Sequence, residues 1–235
     1  MKIITWNANM AFRNKAHLLM CYEPDILVIP ECENPEKLKF RSGEIMPADI
    51  IWHGNNTNKG LAIISFGDYK LTLMDEHDAD LRTILPITVS GAKEFTLFGV
   101  WANNPADKAN QYIGQVWKAL HCYEQLLNNN PVILAGDFNS NTIWDKPRRQ
   151  GNHSTVVEKL LAKGIESTYH HYFGFSQGEE AHATFSLYRH KDKPYHLDYC
   201  FASADFIKDL VSVAVGSYDD WAMHSDHCPV IVEFK

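Results

Sequence analysis

No run of this 235-residue chain approaches the ~20 consecutive apolar residues that cross a bilayer, so neither a membrane span nor a membrane partner is expected. A C-x-x-C pair is also missing. The five cysteines (Cys21, Cys32, Cys122, Cys200 and Cys228) are scattered and odd in number. That argues against a disulfide framework or a zinc ribbon, and for a reducing, cytoplasmic setting. The opening Met1-Lys2-Ile3-Ile4-Thr5-Trp6-Asn7 lacks the organisation of a signal peptide and goes straight into a strand-like run. There is no internal repeat, low-complexity tract or Gly/Ser linker, so a single domain over 1–235 is expected, as a monomer. Positive charge is scarce: 22 Lys and Arg stand against 29 Asp and Glu, a net charge of -7. This balance disfavours broad, non-specific binding to a polyanion.

What the chain does have is an ordinary apolar fraction of 45%, gathered into short runs rich in Ile and Val. Strands are expected over Lys2–Asn7, Ile26–Pro30, Leu61–Ser65, Lys70–Met74, Thr83–Ser90, Phe95–Trp101, Val132–Ala135, His196–Ala202, Leu210–Val215 and Val230–Phe234. Three helices are expected. They lie around Asn14–Tyr22, over about Asp107–Leu127 with apolar residues at helical spacing, and over about Thr155–Lys163 with Ser154 as N-cap candidate. Many strands and few helices suggest two packed sheets with helices outside, a four-layer α/β/β/α sandwich. Strict β/α alternation is absent, which disfavours a doubly wound sheet or a TIM barrel.

The chemistry collects where strands end. Pro131-Val132-Ile133-Leu134-Ala135-Gly136-Asp137-Phe138-Asn139-Ser140-Asn141 is an apolar run that stops at glycine and turns polar. Asp137 and Asn139 alternate with Phe138, so both can point the same way, one an anionic acceptor and the other a neutral donor and acceptor. Trp6-Asn7-Ala8-Asn9 ends the first strand in carboxamides. Pro24-Asp25-Ile26-Leu27-Val28-Ile29-Pro30-Glu31-Cys32-Glu33 ends a buried run in acid, with Glu31 better placed than Glu33, which reads as solvated. Tyr195-His196-Leu197-Asp198-Tyr199 places Asp198 opposite Leu197 and Tyr199, where a buried carboxylate needs a partner such as histidine. His224-Ser225-Asp226-His227-Cys228-Pro229 supplies one, in His227. A zinc site is the weaker reading there, because no third well-spaced histidine is at hand.

Taken in order, these five motifs closely resemble the endonuclease/exonuclease/phosphatase superfamily of metal-dependent phosphoesterases, including DNase I-like and exonuclease III-like enzymes. The resemblance runs from Ile3 to about Val232. It implies a four-layer, DNase I-like sandwich with the site at the upper edge of the sheets. It implies magnesium as cofactor, manganese as its substitute, held mainly by Glu31 with Asn7 nearby and Asp226 as accessory ligand. Asp137 then orients or deprotonates the attacking water, Asn139 holds the phosphate, His227 contacts the scissile phosphate or acts as acid/base, and Asp198 orients His227. Phe185, Tyr195 and Leu197 fall where abasic-site endonucleases place an apolar pocket wall.

Departures bear on the substrate. Pro30-Glu31-Cys32-Glu33 stands where DNA-repair members have Gln-Glu-Thr-Lys, and Asn9 stands where they have a second acid. The central motif reads Trp101-Ala102-Asn103-Asn104-Pro105; Trp101 cannot accept a hydrogen bond, and either Asn103 or Asn104 supplies the carboxamide. Lys146, Arg148 and Arg149 form one candidate substrate lip, and Arg189, Lys191 and Lys193 another. The expected function is a magnesium-dependent phosphoester hydrolase. The first substrate class is DNA, cut by a phosphodiesterase or nuclease. A small soluble phosphate ester is the alternative, and a catalytically inactive binding module is the third.

Overall fold

The computed structural model describes residues 1–38, 46–105, 111–128 and 131–235. Two six-stranded sheets stand face to face. The first contains β1 (Lys2–Thr5), β2 (Ile26–Cys32), β3 (Asp49–Asn56), β4 (Lys59–Ser65), β13 (Leu210–Val215) and β14 (Val230–Phe234), in the order β13-β14-β1-β2-β4-β3. The second contains β5 (Lys70–Leu73), β6 (Ile84–Ser90), β7 (Phe95–Trp101), β8 (Val132–Asp137), β9 (Ile165–Ser167) and β12 (Asp198–Ser203), in the order β5-β6-β7-β8-β12-β9. A small hairpin of β10 (Phe185–Ser186) and β11 (Pro194–Tyr195) stands apart. Among the described residues only β1/β2 and β7/β8 pair in parallel.

Strand alternation builds the layers. Along β1 and β2, Ile3, Ile26 and Val28 face the opposing sheet, while Ile4, Leu27 and Ile29 face outward. Along β7 and β8, Leu97, Ile133 and Ala135 face inward, while Phe98, Val100, Val132 and Leu134 face outward. Successive residues of a strand point to opposite faces, so one run serves two interfaces. The outward face of the second sheet is covered by α2 (Ile113–Cys122) and α3 (His153–Leu161), through Val116, Leu120, Val156 and Leu160. The outward face of the first is covered by α1 (His17–Met20), α6 (Tyr218–Trp221) and a 3-10 turn at Phe12–Asn14. Leu19, Phe12 and Trp221 fill that third cluster. The remaining helices, α4 (Thr168–Phe173) and α5 (Ala204–Ile207), bring Tyr169 and Phe206 into the central cluster.

The helix expected over Asn14–Tyr22 is instead the 3-10 turn followed by the short α1. Lys15, at φ -126° and ψ -12°, leaves the helical path between the two. The expected start of the second helix at Asp107, and Asn129 and Asn130 after it, lie outside the described residues. α2 ends at Cys122, five residues short of Leu127, yet Tyr123 and Leu127 stay buried in the outer cluster as turn residues. Among the described residues no helix is long and apolar enough to cross a membrane.

Candidate active site

The inward-facing alternation of three strands turns polar at one rim of the sandwich. Beyond Ile3 and Thr5 comes Asn7, and beyond Ile133 and Ala135 comes Asp137. Below Ala202 and Cys200 comes Asp198, directly across the ladder from Asp137. Two carboxylates and a carboxamide therefore close the central core where the sheets open. Gly136 makes the last turn of β8 feasible. Its φ is 147°, and a Cβ there would lie 1.8 Å from the Val100 carbonyl oxygen.

Both carboxylates are fully buried, so each must find partners. Asp137 Oδ1 accepts from the Asn139 backbone N–H at 2.8 Å. Its Oδ2 accepts from Asn7 Nδ2 at 3.0 Å and Asn139 Nδ2 at 2.8 Å. Asp198 Oδ2 lies 2.8 Å from His227 Nδ1, and His227 Nε2 lies 4.0 Å from Asp137 Oδ2. Thr184 Oγ1 accepts from the Leu197 and Asp198 N–H groups, fixing the strand start. The His227 segment is clamped as well. Trp6 Nε1 donates to the His227 carbonyl at 2.9 Å, and the Ser225 hydroxyl donates to the Asn7 carbonyl at 2.8 Å.

These contacts set the charges. Burial pushes Asp137 up to about 7, with Asp198 adding to the rise and His227 opposing it. Burial alone would depress His227; the Asp198 and Asp137 carboxylates override it and hold the imidazole at about 10, so it is a cation at neutral pH. Asp198 Oδ1 is buried and has no partner among the described residues.

Glu31 reaches the same rim by a backbone irregularity. Opposite β4, Pro30 faces Leu61 and Cys32 faces Gly60, leaving Glu31 as an unpaired bulge at φ 59°. Bulges re-aim side chains, and left-handed backbone at a non-glycine residue marks a constrained position. Lys59 Nζ sits 3.0 Å from Glu31 Oε1, and the Glu31 side chain keeps 18% of its exposure. The contact shows that the open side of Glu31 attracts positive charge. The Glu31 carboxylate and the Asn7 amide oxygen are the kind of donors a hard divalent ion takes, and the Asn7 oxygen also accepts from the Asn9 N–H at 3.0 Å. A second group that could hold a metal is Asp137, Asp198 and His227, whose ligand atoms lie within 4.8 Å of one another. Asp226 stands half-buried beside them and accepts from Asn9 Nδ2 at 2.9 Å.

A cavity of about 540 Å³ adjoins this cluster, and Asn139, Phe185, Tyr195, Leu197 and Arg149 line it. The Phe185 ring centroid lies 4.7 Å from that of His227. Other sequence candidates are placed elsewhere. Trp101 is 9% exposed, packs in the central core and carries Lys59 above its ring. Asn103 is occupied structurally, donating to Thr83 Oγ1 and accepting from Gln115 Nε2, each at 3.0 Å. Asn104 is exposed, and Arg148 is exposed and outside the cavity wall. Asn139 donates both Nδ2 hydrogens within the protein, to Asp137 and to the Ala102 carbonyl, so it holds Asp137 rather than offering a free donor. Lys191 is paired with Asp219 at 2.7 Å, which weakens the second basic lip. Glu33, read as solvated, is 1% exposed and accepts from the Phe12 and Arg13 N–H groups and from Arg13 Nη1.

Sequence reasoning also passed over Lys59, Thr184 and Trp144. Lys59 and Thr184 act through long-range contacts that no local pattern announces. Trp144 does have a signal: it follows Asn141, whose side chain accepts from the Ile143 N–H and starts a 3-10 turn.

No protein-family model matches the chain, and no curated protein matches its sequence. Solved structures do match its fold. The 3' phosphatase NExo from Neisseria, bound to a product DNA hairpin, is 23% identical with a TM-score of 0.71, over 100% of this chain and 99% of that one. An AP endonuclease from Archaeoglobus fulgidus is 18% identical with a TM-score of 0.69, over 100% and 99%. An endonuclease/exonuclease/phosphatase family protein from Leptotrichia buccalis is 17% identical with a TM-score of 0.63, again over 100% and 99%. The chain therefore has the fold of the endonuclease/exonuclease/phosphatase proteins along its whole length.

Proposed function

We propose that this protein is a metal-dependent phosphoester hydrolase whose substrate is DNA, acting by in-line attack of water. One observation carries the reading. Asp137 and the Asp198–His227 pair stand at one rim, a carboxyl group poised near neutrality beside a buried imidazolium. A base that titrates near the working pH takes a proton from water most effectively. A fixed cation a few ångströms away neutralises charge growing on the phosphoryl oxygens. Asn7 and Asn139 fix the direction of Asp137. Glu31, with Asn7, would hold a divalent ion. Bound there, magnesium, with manganese as substitute, would supply Lewis-acid stabilisation of the phosphate and the leaving oxygen. Asp226, beside Asn9, is an accessory ligand.

The DNA assignment draws on the neighbours. One is described as a 3' phosphatase with a product DNA hairpin and another as an AP endonuclease. Lys146 and Arg149 on the cavity side give a local positive surface on an acidic chain. The test uses bis(p-nitrophenyl) phosphate and duplex DNA in magnesium. Asp137→Asn or His227→Ala should each lose on the order of 10² or more in turnover while the fold persists. Near wild-type turnover in either variant, or hydrolysis untouched by chelator, defeats the assignment. Cleavage of DNA should fall steeply with salt. A flat response, with turnover of small phosphate esters retained, would move the substrate to that class.

A further inference from the structure

The cavity beside the hydrolytic centre is larger than a bare sugar requires. At about 540 Å³ it lies in the range of small-molecule sites. Its wall is aromatic: the Trp144 and Tyr195 ring centroids lie 4.9 Å apart, and Phe185 pairs across the β10/β11 ladder with Tyr195. Trp144 lines the cavity and keeps 45% of its surface exposed, so ring surface is available to a ligand there. It is not loose. Asn141 starts its 3-10 turn, and the next residue, Asp145, accepts from the His153 and Ser154 N–H groups at 2.8 and 3.0 Å. Asn152 then clasps Lys146 from both sides, accepting from its N–H at 3.1 Å and donating to its carbonyl at 2.8 Å. The platform is held before any ligand arrives, which removes part of the ordering cost of binding.

Charge completes the picture. Lys146 and Arg149 stand on the same wall, and among the described residues no carboxylate lies within ion-pair distance of either. Asp145, the one acid on that wall among the described residues, spends its carboxylate on the start of α3. A flat aromatic surface flanked by two cations, opening onto the reacting phosphate's position, suits one ligand chemistry: a heteroaromatic base joined to a phosphate.

We propose that this cavity is a nucleobase site, in which Trp144 stacks the base of the nucleotide whose phosphate lies at Asp137 and His227, while Lys146 and Arg149 meet a neighbouring phosphate. The substrate class is thereby a nucleotide that keeps its base, at a strand terminus or swung out of a stack, rather than a sugar phosphate alone. The proposal rests on the hydrolase reading for the position of the phosphate. Stacking tolerates any base, because each has a π-face, so all four are accepted.

Calorimetric titration in EDTA tests the site without turnover, using deoxyadenosine monophosphate against 2-deoxyribose 5-phosphate. The nucleotide should bind about tenfold tighter or more. Trp144→Ala should weaken it by roughly 5- to 150-fold, the worth of one stacked base, and leave the sugar phosphate within about twofold. Trp144→Phe should restore most of the loss. Equal binding with and without a base, or equal weakening of both ligands in Trp144→Ala, overturns the site. Hydrolysis of bis(p-nitrophenyl) phosphate in magnesium separates this result from the function. Base-dependent binding without that hydrolysis supports the nucleobase site and removes the hydrolase. Hydrolysis with base-blind binding keeps the hydrolase and removes the site.

Discussion

Gly136 and Asp198 show what single residues contribute at the rim. At Gly136 any side chain meets the Val100 carbonyl at 1.8 Å, and the backbone is already at φ 147°. Gly136→Ala should therefore cost about 3 kcal/mol or more, read as a lowered melting temperature, because backbone must move and no flexible side chain can yield instead. Asp198 acts through His227. Removing its charge leaves only Asp137 and Asp226 to offset the burial of the imidazole, so Asp198→Asn should lower the His227 pKa from about 10. The check is the imidazole titration followed by NMR in the metal-free protein; an unmoved midpoint would show that Asp198 does not hold the cation.

Among the elements, the irregular ones carry the site. A bulge releases Glu31 from the β2/β4 ladder, and side chain–backbone bonds make the clasp between the 3-10 turn and α3. Asp145→Ala deprives two N–H groups at the start of α3 of their acceptor, and should destabilise the protein by about 1–2 kcal/mol in chemical denaturation. Legibility follows the same division. β2, β7 and β8 are readable because buried strands are nearly continuous apolar runs, and the polar residues ending them stand out. β3 (Asp49–Asn56) escaped because it is an edge strand whose residues are half-buried or exposed, so Asp49, His53 and Asn56 break the apolar pattern. The pairing of Asp198 with His227 could be anticipated from the cost of a buried carboxylate. The Lys59–Glu31 contact and the capture of Asn103 by Gln115 depend on how strands and helices meet, and nothing local encodes that. Glu33 misled for the same reason: its partners are the N–H groups of a turn twenty residues away.

Across the whole molecule, buried histidines govern acid stability. Burial lowers His153 and His196 from 6.5 to about 4, so between these values the unfolded chain binds two protons that the folded chain refuses. Asp137, raised from 3.8 to about 7, opposes them by holding one proton when folded. Burial lowers His53 and His77 as well, so the unfolded state holds at least one extra proton and stability should fall as pH drops from 6.5 to about 4, by about 1.4 kcal/mol per pH unit or more. Below that, Glu180, lowered from 4.5 to about 2 against burial by its His170, Gly178 and Asn141 hydrogen bonds, adds a further loss. His153→Phe should reduce the slope between 4 and 6.5 by about 1.4 kcal/mol per pH unit in urea titrations with EDTA, and an unchanged slope would show that His153 is not a neutral buried group. One last feature reaches further. The two hydrogen bonds that assemble the centre, Asn7 to Asp137 and His227 to Asp198, each run from one sheet to the other. The rim thus behaves as a vernier between two rigid plates. A slip of an ångström leaves both ladders intact yet breaks both marks at once. Turnover should vanish on heating or in mild denaturant before circular dichroism changes, and trimming Ile87 or Leu97, deep in the central layer, should lower turnover without touching the chemistry.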